Sequence, residues 1–335
     1  MKKSSFGHTG MEISRIGLGT WGLGGVYYGE VPDAQGIETV RAYIDGGGRH
    51  IDTAFSYHKS EDVIGAAIRP YNREELFITS KTYAGCFPEQ NNLHAVRTQC
   101  EISLRDLGID YLDNYMCHGT PPDADQFNRI LDEFDKLKAA GKIRSIGCSI
   151  RGPTVTDETR DTAIMAIKTG RIDCVQLTYS IARQKHGEVF QTAKKNGVAI
   201  ITRWVLESGM LAGKYELGHQ FVWPDTRNRY RPEERDTILQ IGYDLKKMLP
   251  EGYENPIQLA VAFALADDGV TGLILGSNTA DHVRRNLKLD NLPPLSADVV
   301  QKLKKMYGSF NDRCNPTGAF EHVDSPRRPL GADPE

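Results

Sequence analysis

The chain has 335 residues, 39% of them hydrophobic, with 41 Lys+Arg against 44 Asp+Glu for a formal net charge of −3. That apolar share supports a full core and excludes disorder for the chain as a whole. The balanced charge offers neither a basic face for nucleic acid nor an acidic solvating tail.

In chain order, a Thr9-Gly10 turn predicts a short hairpin joining the segments around Phe6 and Ile13. Eight strand-like runs follow, at Ile16–Gly19, His50–Thr53, Leu76–Ser80, Tyr111–His118, Ile143–Ser149, Asp173–Leu177, Val198–Thr202 and Gly272–Leu275. Helical patterns lie between them at Ala34–Asp45, Glu61–Ile68, Glu89–Leu107, Gln126–Ala140, Asp157–Thr169, Gly187–Asn196, Pro256–Ala266 and Ala280–Leu287. Asp33, Asp157 and Asp281 stand where N-caps are expected, and Gly141, Gly170 and Gly197 where C-caps are. Strand–helix repetition at roughly 40 residues per unit predicts a parallel sheet with crossover helices. Eight units predict a (β/α)8 TIM barrel, one domain over residues 1–335 with the hairpin ahead of it. Gly218 to Arg235 and the tail from Leu292 to Glu335 show no clear period and are expected as long loops at a rim.

Gly17-Leu-Gly19-Thr-Trp-Gly22 matches GxGxxG, the fingerprint of an open doubly wound sheet. That fingerprint requires a helix opening at the glycines and an acid about 20 residues on. Here the chain continues Leu-Gly-Gly-Val-Tyr-Tyr-Gly-Glu-Val-Pro, so the glycines read as the loop after the first barrel strand.

Six cysteines (Cys86, Cys100, Cys117, Cys148, Cys174, Cys314) lie far apart without a CxxC pair or a His cluster, so neither a metal site nor a disulfide framework is expected. The start, MKKSSFGHTG, has no apolar run after its lysines. Leu259 to Ala266, among the longest apolar stretches, falls far short of the ~20 residues that span a bilayer. A cytoplasmic protein with no membrane and no nucleic-acid partner is expected.

Barrel enzymes carry their working residues at the C-terminal strand ends. Those ends offer Asp52 and Tyr57 after the second run, Lys81 at the third and His118 at the fourth. Each alone has a plain explanation: a turn cap, a pocket wall, a solvated strand end, a core histidine. Together they point to acid catalysis, because apolar strands ending in Lys and His bury parts of groups that need partners. A phenol with a pKa near 10 donates poorly at neutral pH unless its anion is stabilised. Lys81 can supply that cation, Asp52 can hold the lysine, and the His118 imidazole can orient a carbonyl oxygen or help pass the proton. The set suits protonation of a developing alkoxide.

Over nearly its whole length the chain resembles the aldo-keto reductase family. The matching pieces are IGLGTWG, GGGRHIDTAFSYHKSEDVIGAAI, ITSK, SLRDLGIDYLDNYMCHG, GKIRSIGCS, CVQLTYS, VLESGMLAGKY and ILGSNTADHVRRNL. The resemblance implies a barrel that binds NADP(H), or NAD(H), without a Rossmann domain, and a catalytic tetrad of Asp52, Tyr57, Lys81 and His118 with Tyr57 as general acid. It implies that Gly19, Thr20 and Trp21 border the cofactor and that Ser149 and Gln176 hold the nicotinamide carboxamide. The pyrophosphate is then expected along Leu206, Ser208, Gly209, Met210 and Leu211, with Lys214 beyond. Gly276, Ser277 and Asn278 match the loop that takes the adenosine phosphate, and Asn286 an adenine contact. Backbone NH groups at a helix N-terminus favour phosphate there.

Three positions depart from the family pattern. Ile150 replaces the usual Asn after Ser149, Arg203 stands where many members stack an aromatic on nicotinamide, and His282 stands where many NADP-specific members have Arg. Arg284 or Arg285 could compensate, although a solvated helix face explains both. Trp21, Tyr28, Tyr57, Tyr83, Phe87, His118 and Arg151 are expected around the substrate. Arg227, Arg229 and Arg231 read either as a solvated loop or as a seat over the cofactor phosphates. The expected function is NADP(H)-dependent interconversion of an aldehyde, ketone or open-chain sugar with its alcohol. The rivals are a nucleotide-binding regulatory subunit of a channel complex and, more weakly, a sugar isomerase, epimerase or lyase, which would need more carboxylates than Asp52 at the strand ends.

Overall fold

The chain opens with an antiparallel hairpin in which β1 (Lys3–Ser5) pairs with β2 (Glu12–Ser14). Its turn drives Phe6 against Phe77, ring centroids 4.7 Å apart, and Phe6, Ile13, Phe77, Met116, Cys174, Ala199 and Ile201 form one buried cluster. That cluster is the floor of a barrel. In this computed structural model, which describes residues 1–25, 29–83, 93–152, 155–222 and 225–308, the wall is eight parallel strands. They are β3 (Ile16–Gly19), β4 (His50–Asp52), β5 (Phe77–Thr82), β6 (Leu112–His118), β7 (Ile143–Ser149), β8 (Cys174–Thr178), β9 (Ala199–Arg203) and β10 (Gly272–Gly276), with β10 closing on β3.

Side chains alternate across a strand, so each floor residue has a partner two positions higher on the same inner face. Phe77 leads through Thr79 to Lys81, Met116 to His118, Cys174 to Gln176, Ile201 to Arg203 and His50 to Asp52. The polar layer at the mouth is therefore set by the same period that packs the floor. His50 is fully enclosed between them, its edge on Phe77, and burial holds its imidazole down at about 4, which keeps it neutral at physiological pH.

Outside the barrel lie α1 (Asp33–Asp45), α2 (Ser60–Ile68), α3 (Leu93–Leu107), α4 (Ala124–Ala139), α5 (Asp157–Lys168), α6 (Phe190–Lys195), α7 (Pro232–Lys247), α8 (Pro256–Ala264), α9 (Ala280–Lys288) and α10 (Ala297–Tyr307). Two segments expected as loops are partly helical instead. The stretch beginning at Arg231 starts a four-turn helix, and the tail contains α10. Pro232 at the first helical position and Glu233–Glu234 behind it are a start signal masked by dense charge, whereas Ile238, Leu239, Ile241 and Leu245 form the buried face. Leu303 and Tyr307 anchor α10 in the same way.

The caps also differ. Pro32, Thr156 and Thr279 are the N-caps of α1, α5 and α9, and the predicted acids sit inside the first turn, where they face the positive end of the helix. Gly141, Gly170 and Gly197 adopt left-handed φ one residue past the caps of α4, α5 and α6. Thr156 and Thr159 cap α5 reciprocally, each hydroxyl accepting from the other's amide at 3.3 and 2.9 Å. Thr156→Ala is expected to cost about 1 kcal/mol of stability in equilibrium urea unfolding.

The four described cysteines are buried and free; Cys86 and Cys314 lie outside the described residues. None of the described helices is long and apolar enough to cross a membrane.

Candidate active site

Three elements bring the mouth together. β4 ends at Asp52, and the loop after it turns back so that Tyr57 faces the barrel opening. Lys81 on β5 is fully buried, and its Nζ donates to Asp52 Oδ1 and to the Thr53 carbonyl, both at 2.7 Å. From the far wall, Gln176 on β8 donates to the other carboxylate oxygen at 2.7 Å. Asp52 is thus spanned by two donors across the barrel, and it fixes the lysine. The Lys81 ammonium lies 5.1 Å from the centroid of the Tyr57 ring.

Burial pulls Lys81 below the usual lysine range, and Asp52 opposes that pull. His118 ends β6 with its ring edge-on to Tyr57, at 6.1 Å, and to Tyr83, at 5.1 Å. Burial, then the charges of Lys81 and Arg203, hold its imidazole well below the usual histidine range. A neutral ring can donate one N–H to an oxygen but is not a proton reservoir at neutral pH.

The glycines of the first loop are explained by contact distance. A Cβ on Gly17 or Gly19 would fall 2.6 Å from the Ile274 side chain, one on Gly22 2.1 Å from Asn278 Oδ1, and one on Gly24 2.5 Å from the Tyr57 carbonyl. Past Gly19 the chain makes a 3-10 turn at Trp21–Gly24 instead of a long helix. GxGxxG here permits close packing against Ile274 and Asn278, and Gly24, just beyond it, a close approach to Tyr57. Thr20 is fully enclosed, its hydroxyl donating to the Asp52 carbonyl at 2.9 Å, so it anchors the strand end. Trp21 is half-buried at the rim.

On the opposite side, Ser149 follows Cys148 at the end of β7, in register with Gln176 and with His118. Its hydroxyl is buried without a hydrogen-bond partner among the described residues. The next segment is unusual. Trp204, Glu207 and Ser208 all have left-handed φ without being glycine, and Gly209 continues the turn. Such backbone costs about 1–3 kcal/mol per residue and persists only where the surroundings over-determine it. Here Glu207, fully buried, accepts from Arg183 Nε at 2.9 Å and from the Ser180 hydroxyl at 2.5 Å. From outside, α7 lays Gly242 against the segment; a Cβ there would meet the Met210 carbonyl at 2.9 Å. Leu211 is fully enclosed and holds the turn from below, while Leu206, Ser208 and Gly209 are half-buried. Arg227 caps the turn, donating to the Ser208 carbonyl at 3.1 Å while Asp225 grips its guanidinium.

Beyond β10, Gly276, Ser277 and Asn278 precede α9, and Asn286 donates to the Ser277 hydroxyl at 3.0 Å. Gln35 holds the Asn278 carbonyl at 2.7 Å. His282 is exposed and its imidazole is lowered by partial burial, then by Arg285 and Lys214, so all three basic groups share one neighbourhood. Arg284 is instead paired with Asp281 on the solvated face. Arg231 pairs with Glu234, and Arg151 is exposed just past β7. Tyr28, Phe87 and the side chain of Arg229 lie outside the described residues.

Sequence reasoning missed Glu207 and Arg183. The available signal was an arginine inside the apolar stretch Tyr179-Ser-Ile-Ala-Arg183, which demands a buried acid, but nothing in the sequence says which one.

The Aldo/keto reductase family model matches residues 15–307. The chain is 31% identical to aldo-keto reductase YhdN of Bacillus subtilis over 83% of its length and 85% of that protein's. It is 28% identical to the NADH-specific methylglyoxal reductase of Escherichia coli over 90% and 97% of the two chains. Among solved structures, the thermostable aldo-keto reductase Tm1743 bound to the inhibitor epalrestat superposes with a TM-score of 0.68 at 26% identity, covering 91% of this chain and 100% of that one. The holo form of AKR11C1 from Bacillus halodurans shares the fold, with a TM-score of 0.72 at 24% identity over 91% and 96%. The protein whose barrel mouth is built from Asp52, Tyr57, Lys81 and His118 belongs to the aldo/keto reductase family of oxidoreductases.

Proposed function

We propose that the protein reduces an aldehyde, ketone or open-chain sugar to the alcohol, or runs the reverse oxidation, with NADP(H) as cofactor and Tyr57 as the proton donor. The observation that carries this reading is the buried Lys81–Asp52 pair, at 2.7 Å, lying beneath the Tyr57 ring beside a neutral His118.

The residues present fit a nicotinamide nucleotide. The Ser149 hydroxyl, buried with no hydrogen-bond partner among the described residues, stands beside Gln176 and suits a carboxamide. The turn at Ser208–Gly209 and the loop Gly276–Asn278 present backbone to an anion, and Lys214, His282 and Arg285 gather cationic charge near the start of α9. That charge favours a nucleotide carrying an extra phosphate, although the Escherichia coli relative is named NADH-specific.

When bound, the nicotinamide supplies the hydride that goes to the carbonyl carbon. The protein's part is to hold the carbonyl oxygen between the Tyr57 hydroxyl and the His118 ring and to hand it the phenolic proton. Lys81 stabilises the phenolate left behind, and Asp52 keeps the lysine charged and in place. Trp21 and Tyr83 wall the opening and hinder water.

Fluorescence titration with NADPH and NADH, followed by a carbonyl panel that includes methylglyoxal, tests the reading. NADPH is expected to bind at least about tenfold tighter than NADH, equivalent to one charge-assisted contact of ~1.4 kcal/mol or more. Lys214→Met is expected to narrow that gap. Equal affinities would refute the NADP(H) preference, and failure of both nucleotides to bind would remove the function.

A further inference from the structure

Among the described residues four non-glycines hold a left-handed φ, and the one outside the turn at 204–208 is His58, at 49°, directly after Tyr57. The loop that carries both is pinned at its two ends. On the near side the Thr53 amide donates to the Thr79 carbonyl at 2.9 Å, that of Phe55 to the Lys81 carbonyl at 3.2 Å and that of Tyr57 to the Ala54 carbonyl at 2.9 Å. On the far side Ser60, fully enclosed at the start of α2, donates its hydroxyl to that of Thr20 at 2.8 Å and its amide to the Tyr57 carbonyl at 3.0 Å. His58 therefore turns the chain within the short link between Tyr57 and Ser60, in a conformation that an L side chain resists.

Lys59 closes this link from outside. Its Nζ donates to the Val31 carbonyl at 2.8 Å and to Asp33 Oδ1 at 2.6 Å, which ties the Tyr57 loop to the start of α1, 28 and 26 residues back in the chain. The stem of the lysine passes Gly25, where a Cβ would stand 3.4 Å from Lys59 Cε, while a Cβ on Gly24 would fall 2.5 Å from the Tyr57 carbonyl oxygen and 3.6 Å from His58 Cβ. The two glycines give the loop a floor, and the lysine gives it a tether. With Ala54 and Ser60 fixed on either side, a change of φ at His58 is taken up at Tyr57. The ring of that residue keeps its seat 5.1 Å from the Lys81 ammonium and 6.1 Å from the His118 ring only while the link holds its turn.

We propose that Lys59 is a positioning residue for Tyr57: its tether to Val31 and Asp33 holds His58 in the left-handed conformation, and that turn seats the phenol over Lys81. The proposal rests on the reading of Tyr57 as proton donor. With the tether cut, His58 relaxes toward negative φ and carries the Tyr57 backbone with it. Misplacing a reacting group by about 1 Å is enough to cost ~100-fold in rate. The His58→Gly variant has no such drive, because a residue without a Cβ takes positive φ as readily as negative. The lysine is therefore needed for as long as position 58 carries a side chain.

The test is a double-mutant cycle, read as the rate of NADPH oxidation in a single turnover with methylglyoxal or with the panel member that the wild type reduces fastest. Lys59→Met is expected to slow that step by about 10- to 100-fold while the NADPH Kd from fluorescence stays within about twofold. In the His58→Gly background the same change is expected to cost no more than about threefold, so the two positions are coupled. An equal loss in both backgrounds is what a merely structural lysine gives, and it overturns the proposal. So does a Lys59→Met protein that reacts at the wild-type rate, or one whose NADPH affinity falls in step with its rate. Should Lys59→Met fail to fold, Asp33→Asn decides, since it removes one of the two acceptors. A slowing that disappears in the His58→Gly background supports the tether; no slowing, or one that persists there, refutes it. Tyr57→Phe measured alongside separates the two levels. Lost turnover in that variant with an unaffected Lys59→Met refutes the tether alone, whereas wild-type turnover in Tyr57→Phe removes the proton donor and the tether with it.

Discussion

Tyr57→Phe is expected to lower carbonyl reduction by about 10²–10⁴-fold, the usual value of a positioned general acid, with nucleotide affinity unchanged. The hydroxyl is the one atom removed, so the ring keeps its edge contact with His118 and its seat above Lys81, whose ammonium is 5.1 Å from the centroid. Fluorescence titration measures the binding and steady-state turnover the chemistry. A fall in kcat at constant nucleotide Kd identifies a group needed at the transition state. Turnover that persists at the wild-type level would mean that another donor protonates the oxygen. His118 is a poor candidate, since burial and two nearby cations keep its imidazole neutral and unable to serve as a proton store at neutral pH.

The residues that were legible in the sequence are those governed by the two-residue strand period. Asp52, Lys81, His118 and Gln176 each sit two positions beyond a residue that packs the floor or inner wall, and polar endings on apolar runs exposed them, whereas Arg203, one residue past the predicted run, was singled out only through the family resemblance. The eight strands themselves fall within a residue or two of their predicted limits. What escaped lies where local pattern and tertiary demand disagree. After Pro232 the helix runs through five charged or polar residues, Glu233 to Thr237, and its central Gly242 reads as a helix weakness, although the missing side chain is what lets the helix touch the Met210 carbonyl. GxGxxG, read as the loop after the first barrel strand, is that loop, and the glycines are there because of close contacts with Ile274 and Asn278 from the other end of the chain. Strained backbone at Trp204, Glu207 and Ser208 carries no sequence signal, because those residue types normally avoid that conformation.

That strained turn gives the second large expectation. Glu207→Gln is expected to cost about 3–5 kcal/mol of folding stability, measured by denaturant unfolding, because it leaves the Arg183 guanidinium charged and fully buried beside a neutral amide. The loss reaches beyond the pair. Glu207 is itself in the left-handed region, and its two bonds to Arg183 and Ser180 are what hold Ser208 and Gly209 in the same conformation. Freed from them, the backbone can relax toward ordinary φ and withdraw the surface proposed for the nucleotide, so affinity is expected to fall with stability. Removing both charges in Arg183→Met/Glu207→Met separates the two effects. An ion pair replaced as a whole by apolar side chains of similar volume often loses little stability, so unfolding should recover toward wild type. Affinity should not recover, since no carboxylate remains to fix the turn. A double variant that regained both would show the turn to be held by Gly242 and Arg227 alone, and a Glu207→Gln protein within about 1 kcal/mol of wild type would show the buried pair to be dispensable.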